Sequence, residues 1–212
     1  MKRIAFLGSG ELAIDLCQRV KLWNLYEVIG FIDGNFEKGT LVKGIPILGN
    51  DDDVIQLYHD GAFDCVFIAI GYLRFDIREK LYNRFKGRVP LANIISPTAY
   101  VHPSAILGEG IQLSDGTYIA HNAIVEDNVL ITLRSIVNHG SHIKKHSYFS
   151  TCVTTAGHVT VGERCFIGVG VVISDGITIC DDVWLSPGSI VVADINTPGQ
   201  YLSKATKLYN IQ

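Results

Sequence analysis

The stretch "VGERCFIGVGVVISDGITICDDVWLSPGSIVV", residues 161–192, decides the fold, because an aliphatic residue returns in it at every sixth position. Val161, Ile167, Ile173, Ile179, Leu185 and Val191 close a series that begins at Ile95. Of its seventeen positions fifteen are aliphatic, and only Phe149 and Thr155 break the pattern. A second column, four residues further on, runs from Ala99 to Ser189 through small or aliphatic side chains and holds no charge. A helix repeats at about 3.6 residues and a strand at about two, so neither holds this frame. A long unbroken repeat of this kind marks a solenoid of parallel strands. The physical reading is a triangular coil of three six-residue sides. The long aliphatic fills the interior, the small residue fits near the corner, and Gly, Asp, Glu, Asn and His turn the chain.

Upstream the period changes. Residues 1–93 alternate short apolar runs ("RIAFLG", "EVIGFID", "DCVFIAIG", "VPLANII") with amphipathic stretches ("ELAIDLCQRVKLW", "DDVIQLYHD", "FDIREKLYNRFKG"). That order predicts βαβ units and a parallel sheet covered on both faces. Asp51, Asp52 and Asp53 are expected at the N-cap and first turn of a helix. In "FLGSGELA" the residues Gly8, Ser9, Gly10 and Ala13 follow the first strand and open a helix at G-x-G-x-x-A spacing. Such glycines admit close backbone approach, and a helix N-terminus favours phosphate. Asp33 ends the second strand, where a ribose or base could be recognised, and Gly71 ends the third. Arg74 and Arg78 either reach phosphate or lie on the surface. A domain of 93 residues is too short for both halves of a dinucleotide fold, which argues against NAD. The expected organisation is a Rossmann-like domain at 1–93, a β-helix at 94–192 and a tail at 193–212.

Composition bounds the rest. Hydrophobic residues at 48% and charged residues at 18% predict a compact folded chain. A net charge of −3 offers no field for nucleic acid or an anionic membrane. Five cysteines without a C-x-x-C pair fit reduced thiols in the cytoplasm. The chain opens directly on a strand without a signal peptide, and no apolar run reaches the ~18 residues of a membrane span.

On the rungs quoted above, the second half resembles the left-handed β-helix acyltransferases, whose hexapeptide is aliphatic, Gly, two variable residues, then a small one. The left hand is implied by that resemblance; the general crossover rule would give the opposite. The whole chain is similar to bacterial enzymes that N-acetylate nucleotide-linked amino sugars and to related sialic acid O-acetyltransferases. In that branch a small Rossmann-like domain precedes the β-helix. The resemblance implies a homotrimer of an acyltransferase that uses acetyl-CoA as co-substrate and no metal, with the active site between subunits. It also implies that a UDP- or dTDP-linked amino-deoxy sugar occupies the N-terminal cleft at Gly8, Ser9, Gly10, Asp33 and Gly71.

Within "VNHGSHIKKHSYFS", residues 137–150, the frame sorts three histidines. Positions 18 apart stack about 4.8 Å from one another, so Pro103, His121, His139, Gly157 and Asp175 share a corner. His139 has three readings: a polar corner residue, a metal ligand completed from another subunit as in γ-class carbonic anhydrases, or a catalytic base. The resemblance favours the last. "IVNHGSHI" matches the family's base motif at His139, and Ala156-Gly157-His158-Val159 matches its oxyanion segment, with the Gly157 N–H as donor. Two positions depart from the family: Gly140 stands where an acidic residue usually orients the base, and Tyr148 replaces a second histidine. Asn138, His121 or a neighbouring subunit is left to hold the ring. Coenzyme contacts are implied at Tyr148, Ala156, Val169 and Lys207. His142, Lys144, Lys145 and His146 are expected on an exposed face, and His102 in a structural opening rung. The competing functions are sugar O-acetylation, metal-dependent hydration and non-catalytic sugar-nucleotide binding.

Overall fold

The computed structural model describes residues 1–203. The first unit contains β1 (Arg3–Leu7), α1 (Glu11–Leu22), β2 (Glu27–Ile32), β3 (Leu41–Val42), β4 (Ile45–Gly49), α2 (Val54–His59), β5 (Cys65–Ile68) and α3 (Phe75–Phe85). The strands lie in the order β3-β4-β2-β1-β5. Alternation along β1 divides the core in two. Ile4 and Phe6 pack with Leu16 and Val20 of α1, while Ala5 and Leu7 pack with Leu81 and Phe85 of α3. The sheet is mixed rather than wholly parallel, because β3 and β4 pair antiparallel. Their hairpin turns through Lys43 (φ 50°) and Gly44 (φ 79°). A Lys-Gly pair lacks the Asn-Gly or Asp-Gly composition that announces such a turn in a sequence.

The second unit is the expected coil of two-residue strands. Each strand pairs in parallel with the one 18 residues on, as Ile119 with Val137, Val125 with Ile143 and Ile131 with Phe149. Three sheets result. The turning device is a left-handed residue at every sixth position, fourteen in succession from Gly110 to Gly188. Eight of these are not glycine, Arg134 and Cys152 among them. Each such residue costs on the order of 1–2 kcal/mol, offset by the apolar side chains that the coil buries. Phe149 and Thr155, which interrupt the aliphatic column, are also fully buried. Ser135, Ser141 and Ser147 occupy the three corners of one coil, all buried. Their hydroxyls accept the N–H groups of Val153, Val159 and Cys165 and donate to the carbonyls of Ser150, Ala156 and Gly162. Fully paired hydroxyls can replace hydrocarbon inside the coil without an orphaned polar group.

The boundaries differ from the sequence reading in detail. "VPLANII" is shared: Leu91 bridges to Val66 of the first sheet, whereas Ile94–Ile95 pair with Gln112–Leu113 as the first rung of the coil. Pairing also continues past Val192, where Gly199–Tyr201 lie beside Val183–Leu185 with a step of sixteen instead of eighteen. Lys207 lies outside the described residues. No helix among the described residues is long and apolar enough to cross a membrane.

The two units dock through α3. Arg78, a candidate phosphate ligand by sequence, is fully buried and donates from Nη2 to the Asn128 carbonyl at 2.5 Å and to Asn128 Oδ1 at 3.1 Å. His146, expected on an exposed face, is 3% exposed, because Tyr82 of α3 packs edge-on against its ring at 5.1 Å. The Asn128 amide nitrogen donates to His146 Nδ1 at 2.9 Å. Burial, and then the nearby Arg78 charge, push the His146 pKa down to about 4. The unfolded chain therefore takes up this proton near pH 6.5, while the folded chain resists it until about pH 4. Stability contributed here is present above pH 6.5 and is lost as pH falls toward about 4. Urea melts across that range are expected to show a shallower pH slope for His146→Asn, since asparagine tolerates the left-handed φ of 64°.

Candidate active site

The corner of His121, His139, Gly157 and Asp175 is assembled as the repeat requires, with Ile119–His121, Val137–His139 and Thr155–Gly157 on successive coils. The imidazoles of His121 and His139 lie 6.4 Å apart at 28°. His139 is exposed, and its Nε2 faces the next coil. A methyl group added at Gly157 would stand 2.5 Å from His139 Nε2, 2.6 Å from Cε1 and 2.9 Å from Asp175 Oδ1. Glycine at position 157 thus makes room for the ring. Around it the backbone is tied, with His158 N donating to His139 O at 2.8 Å and Gly176 N to Gly157 O at 2.9 Å. Among the described residues the Gly157 N–H itself has no acceptor. An imidazole nitrogen and a carboxylate oxygen therefore lie close to Gly157, whose own N–H is unclaimed among the described residues.

The ring of His139 is held from its own turn. Asn138 Oδ1 lies 2.8 Å from His139 N and 3.1 Å from His139 Nδ1. On the other side His158 meets the His139 ring edge-on at 5.0 Å and 89°. Gly140 has φ +63°, and a methyl group there would lie 2.5 Å from His158 Nδ1. His142, by contrast, turns away to bond Glu126 Oε1 at 2.6 Å. His102 contacts His121 edge-on at 5.7 Å.

The residues implied for coenzyme do not converge within one chain. Ala156 adjoins Gly157, and Val169 stands 48% exposed at a different corner. Tyr148 lies in the sheet that packs against the first unit, its ring stacked on Phe166 at 5.6 Å.

In the first unit, Gly8 carries φ +98° and Gly10 N-caps α1 with open space around it. Ser9 donates to Asp33 Oδ2 from its N–H at 3.1 Å and its hydroxyl at 2.6 Å. Asn35 donates to Asp33 Oδ1 from its N–H at 3.0 Å and its amide at 2.8 Å. Burial alone would raise the Asp33 carboxyl, but these bonds outweigh it and hold the group below its usual range. Asp33 thus knits the glycine loop to the end of β2 and is already supplied with donors. Beside it a cleft of about 270 Å³ is lined by Gly8, Asp33, Gly34, Asn35, Asp51 and Ile70. Gly71 lies just beyond that lining and N-caps a short turn. The sequence reading left Asn138 as one of three candidates to hold the ring and placed Asp175 in the corner column without a role, but it did not single out Asn35. A "DGN" turn after a strand is the one local signal that pointed to Asn35.

Residues 3–85 match the PglD N-terminal domain, and residues 158–193 match the hexapeptide repeat of succinyl-transferase. A histidine variant of perosamine N-acetyltransferase from Caulobacter crescentus, solved with CoA and GDP-perosamine, is 27% identical with a TM-score of 0.87. That match covers 96% of this chain and 94% of the other. The acetyltransferase domain of PglB from Neisseria gonorrhoeae FA1090, solved with acetyl coenzyme A, has the same fold. Its TM-score is 0.85 at 22% identity, over 95% of this chain and 96% of that one. UDP-3-O-acylglucosamine N-acyltransferase of Bordetella avium (strain 197N) is 32% identical over 99 residues, 45% of this chain. The aligned part is 27% of that protein, so the chain spans about a quarter of the length of the curated relatives it matches. The chain thus joins a segment similar to the PglD N-terminal domain to a hexapeptide-repeat β-helix, the architecture it shares over nearly its whole length with the perosamine N-acetyltransferase solved with CoA.

Proposed function

We propose that this chain transfers an acetyl group from acetyl-CoA to the amine of a nucleotide-linked amino-deoxy sugar. His139 is the general base and the Gly157 N–H the oxyanion donor. The observation that carries this reading is the juxtaposition of His139 Nε2 with Gly157, whose N–H is unclaimed among the described residues. An amine attacking a thioester sheds a proton as the tetrahedral intermediate forms, and a neutral imidazole accepts it at pH 7. Negative charge then grows on the former carbonyl oxygen, where a fixed backbone N–H is worth about 10²–10³-fold in rate. The nucleotide lies in the cleft beside Gly8, Ser9, Gly10, Asp33 and Gly71, with its phosphates toward the N-terminus of α1. The perosamine N-acetyltransferase, whose structure holds a nucleotide-linked amino sugar and CoA, supports the substrate class.

The enzyme works as a homotrimer. The scatter of Tyr148, Ala156 and Val169 over different faces supports a coenzyme site completed by a second subunit. An outward apolar column through Tyr100, Tyr118, Val172 and Ile190, each exposed, supports the contact.

The test is thiol release from acetyl-CoA with GDP-, UDP- and dTDP-linked amino sugars, each beside its hydroxyl counterpart. Release with an amine and not with its hydroxyl partner is expected. Release with the hydroxyl alone would replace N-acylation by O-acylation, and release with none would overturn the reading.

A further inference from the structure

The turn that presents His139 also dictates which ring nitrogen carries the proton. A backbone N–H can only donate, so the Asn138 atom 2.8 Å from His139 N is the amide oxygen. The same oxygen faces Nδ1 of the His139 ring at 3.1 Å. An amide oxygen can only accept, so Nδ1 must hold a hydrogen. In a neutral imidazole Nε2 is then left with its lone pair, and Nε2 is the nitrogen facing Gly157. Asn138 is itself anchored: its N–H donates to Thr155 Oγ1 at 3.0 Å, and its carbonyl accepts Ser141 N at 3.2 Å.

The residue on the other side of His139 cannot take over this task. Gly140 holds φ +63°, and its missing side chain would collide with the His158 ring, 2.5 Å from Nδ1. The orienting group therefore comes from the residue before the base, and it is neutral.

Resting on the reading of His139 as base, we propose that Asn138 is the positioning residue of the reaction. Its amide oxygen locks His139 as the Nδ1–H tautomer and aims a basic Nε2 at the acceptor amine. A neutral orienter has a consequence that a carboxylate would not. It aligns the ring without adding charge attraction for the imidazolium, so the base recovers its neutral form readily between turnovers.

The first arm of the test needs no substrate. Nitrogen-15 NMR of the full chain, with the His139 signals assigned by their loss in His139→Ala, is expected to show protonated Nδ1 and unprotonated Nε2 at neutral pH. In Asn138→Ala the tautomers are expected to mix. An Nε2–H tautomer in the native protein, or the same tautomer after Asn138→Ala, overturns the proposal. The second arm is kinetic. Asn138→Ala is expected to lower kcat about 10–100-fold with an unchanged KM for acetyl-CoA, since a mis-set base affects only the chemical step. Asn138→Asp places a charge opposite Nδ1–H and favours the imidazolium. The acidic limb of the kcat/KM profile is then expected to move about one unit to higher pH. The titratable groups around the ring, His121, His158 and Asp175, are untouched by either change. An unmoved limb together with wild-type kcat in Asn138→Ala also overturns the proposal. Failure of every sugar to react would instead remove the function proposed above and leave the tautomer to be judged by NMR.

Discussion

His139→Ala is expected to lower kcat by about 10²–10⁴-fold, the contribution typical of a positioned general base. The loss should appear equally in kcat/KM, because the proton is taken only as the transition state forms. Folding should be unaffected. His139 is an exposed corner residue outside the coil core, and among the described residues its side chain hydrogen-bonds to its neighbour Asn138, so its removal opens no cavity in that core. Thiol release measured beside a thermal melt separates the two effects. An unchanged melting point with a lost reaction supports the assignment. A variant within tenfold of wild-type activity would sink it, and the corner would revert to a solvated turn.

Gly157→Ala is the sharper structural prediction. The new methyl would lie 2.5 Å from His139 Nε2 and 2.9 Å from Asp175 Oδ1, closer than real contacts allow. The imidazole is the part that gives way, because it stands at the end of an exposed side chain, while the backbone at Gly157 is fixed by bonds from Ala156 N to Ile173 O, from His158 N to His139 O and from Gly176 N to Gly157 O. Swinging the ring breaks its bond to Asn138 and moves Nε2 by an ångström or so, which is enough to cost on the order of 10²-fold in kcat. Gly157 does not occupy the left-handed region, so alanine adds no backbone strain and the melting point should change little. The double variant His139→Ala/Gly157→Ala is the check. With the ring gone, the methyl has nothing to displace and should add almost nothing further. Additive losses would mean that Gly157 acts independently of the histidine.

The solenoid was legible because it is written in the one quantity that survives without coordinates, the period of burial. Ile119, Val125 and Ile131 return every six residues, and a coil of three sides then has to stack Ile119 on Val137. From that stacking alone His139 and Gly157 become neighbours, although they are 18 residues apart. The paired hydroxyls of Ser135, Ser141 and Ser147 were legible as members of the small column, but their bonding was not. The hairpin between β3 and β4 was illegible for a local reason, since Lys43 adopts φ 50° without belonging to the residue types that favour it.

Contacts across the domain boundary had no signature of any kind. His146 read as an exposed residue, and Arg78 as either a phosphate ligand or a surface residue, because each sits among polar neighbours in its own segment, "KKHSYF" and "FDIREK". Their burial is created by α3 settling on the corner at Asn128, between residues 50 positions apart. Burial is a property of two surfaces meeting, and a sequence pattern reports only one of them. The same distinction holds at the site. Sequence alone determined the coil, the register and the pairing of His139 with Gly157, because a strict repeat converts spacing into position. Only the tertiary structure decided that Asp33 is already saturated by Ser9 and Asn35, that His158 fills the space above Gly140, and that Asn138 holds the His139 ring. Those facts depend on side-chain directions and hydrogen-bond partners, which a repeat leaves free.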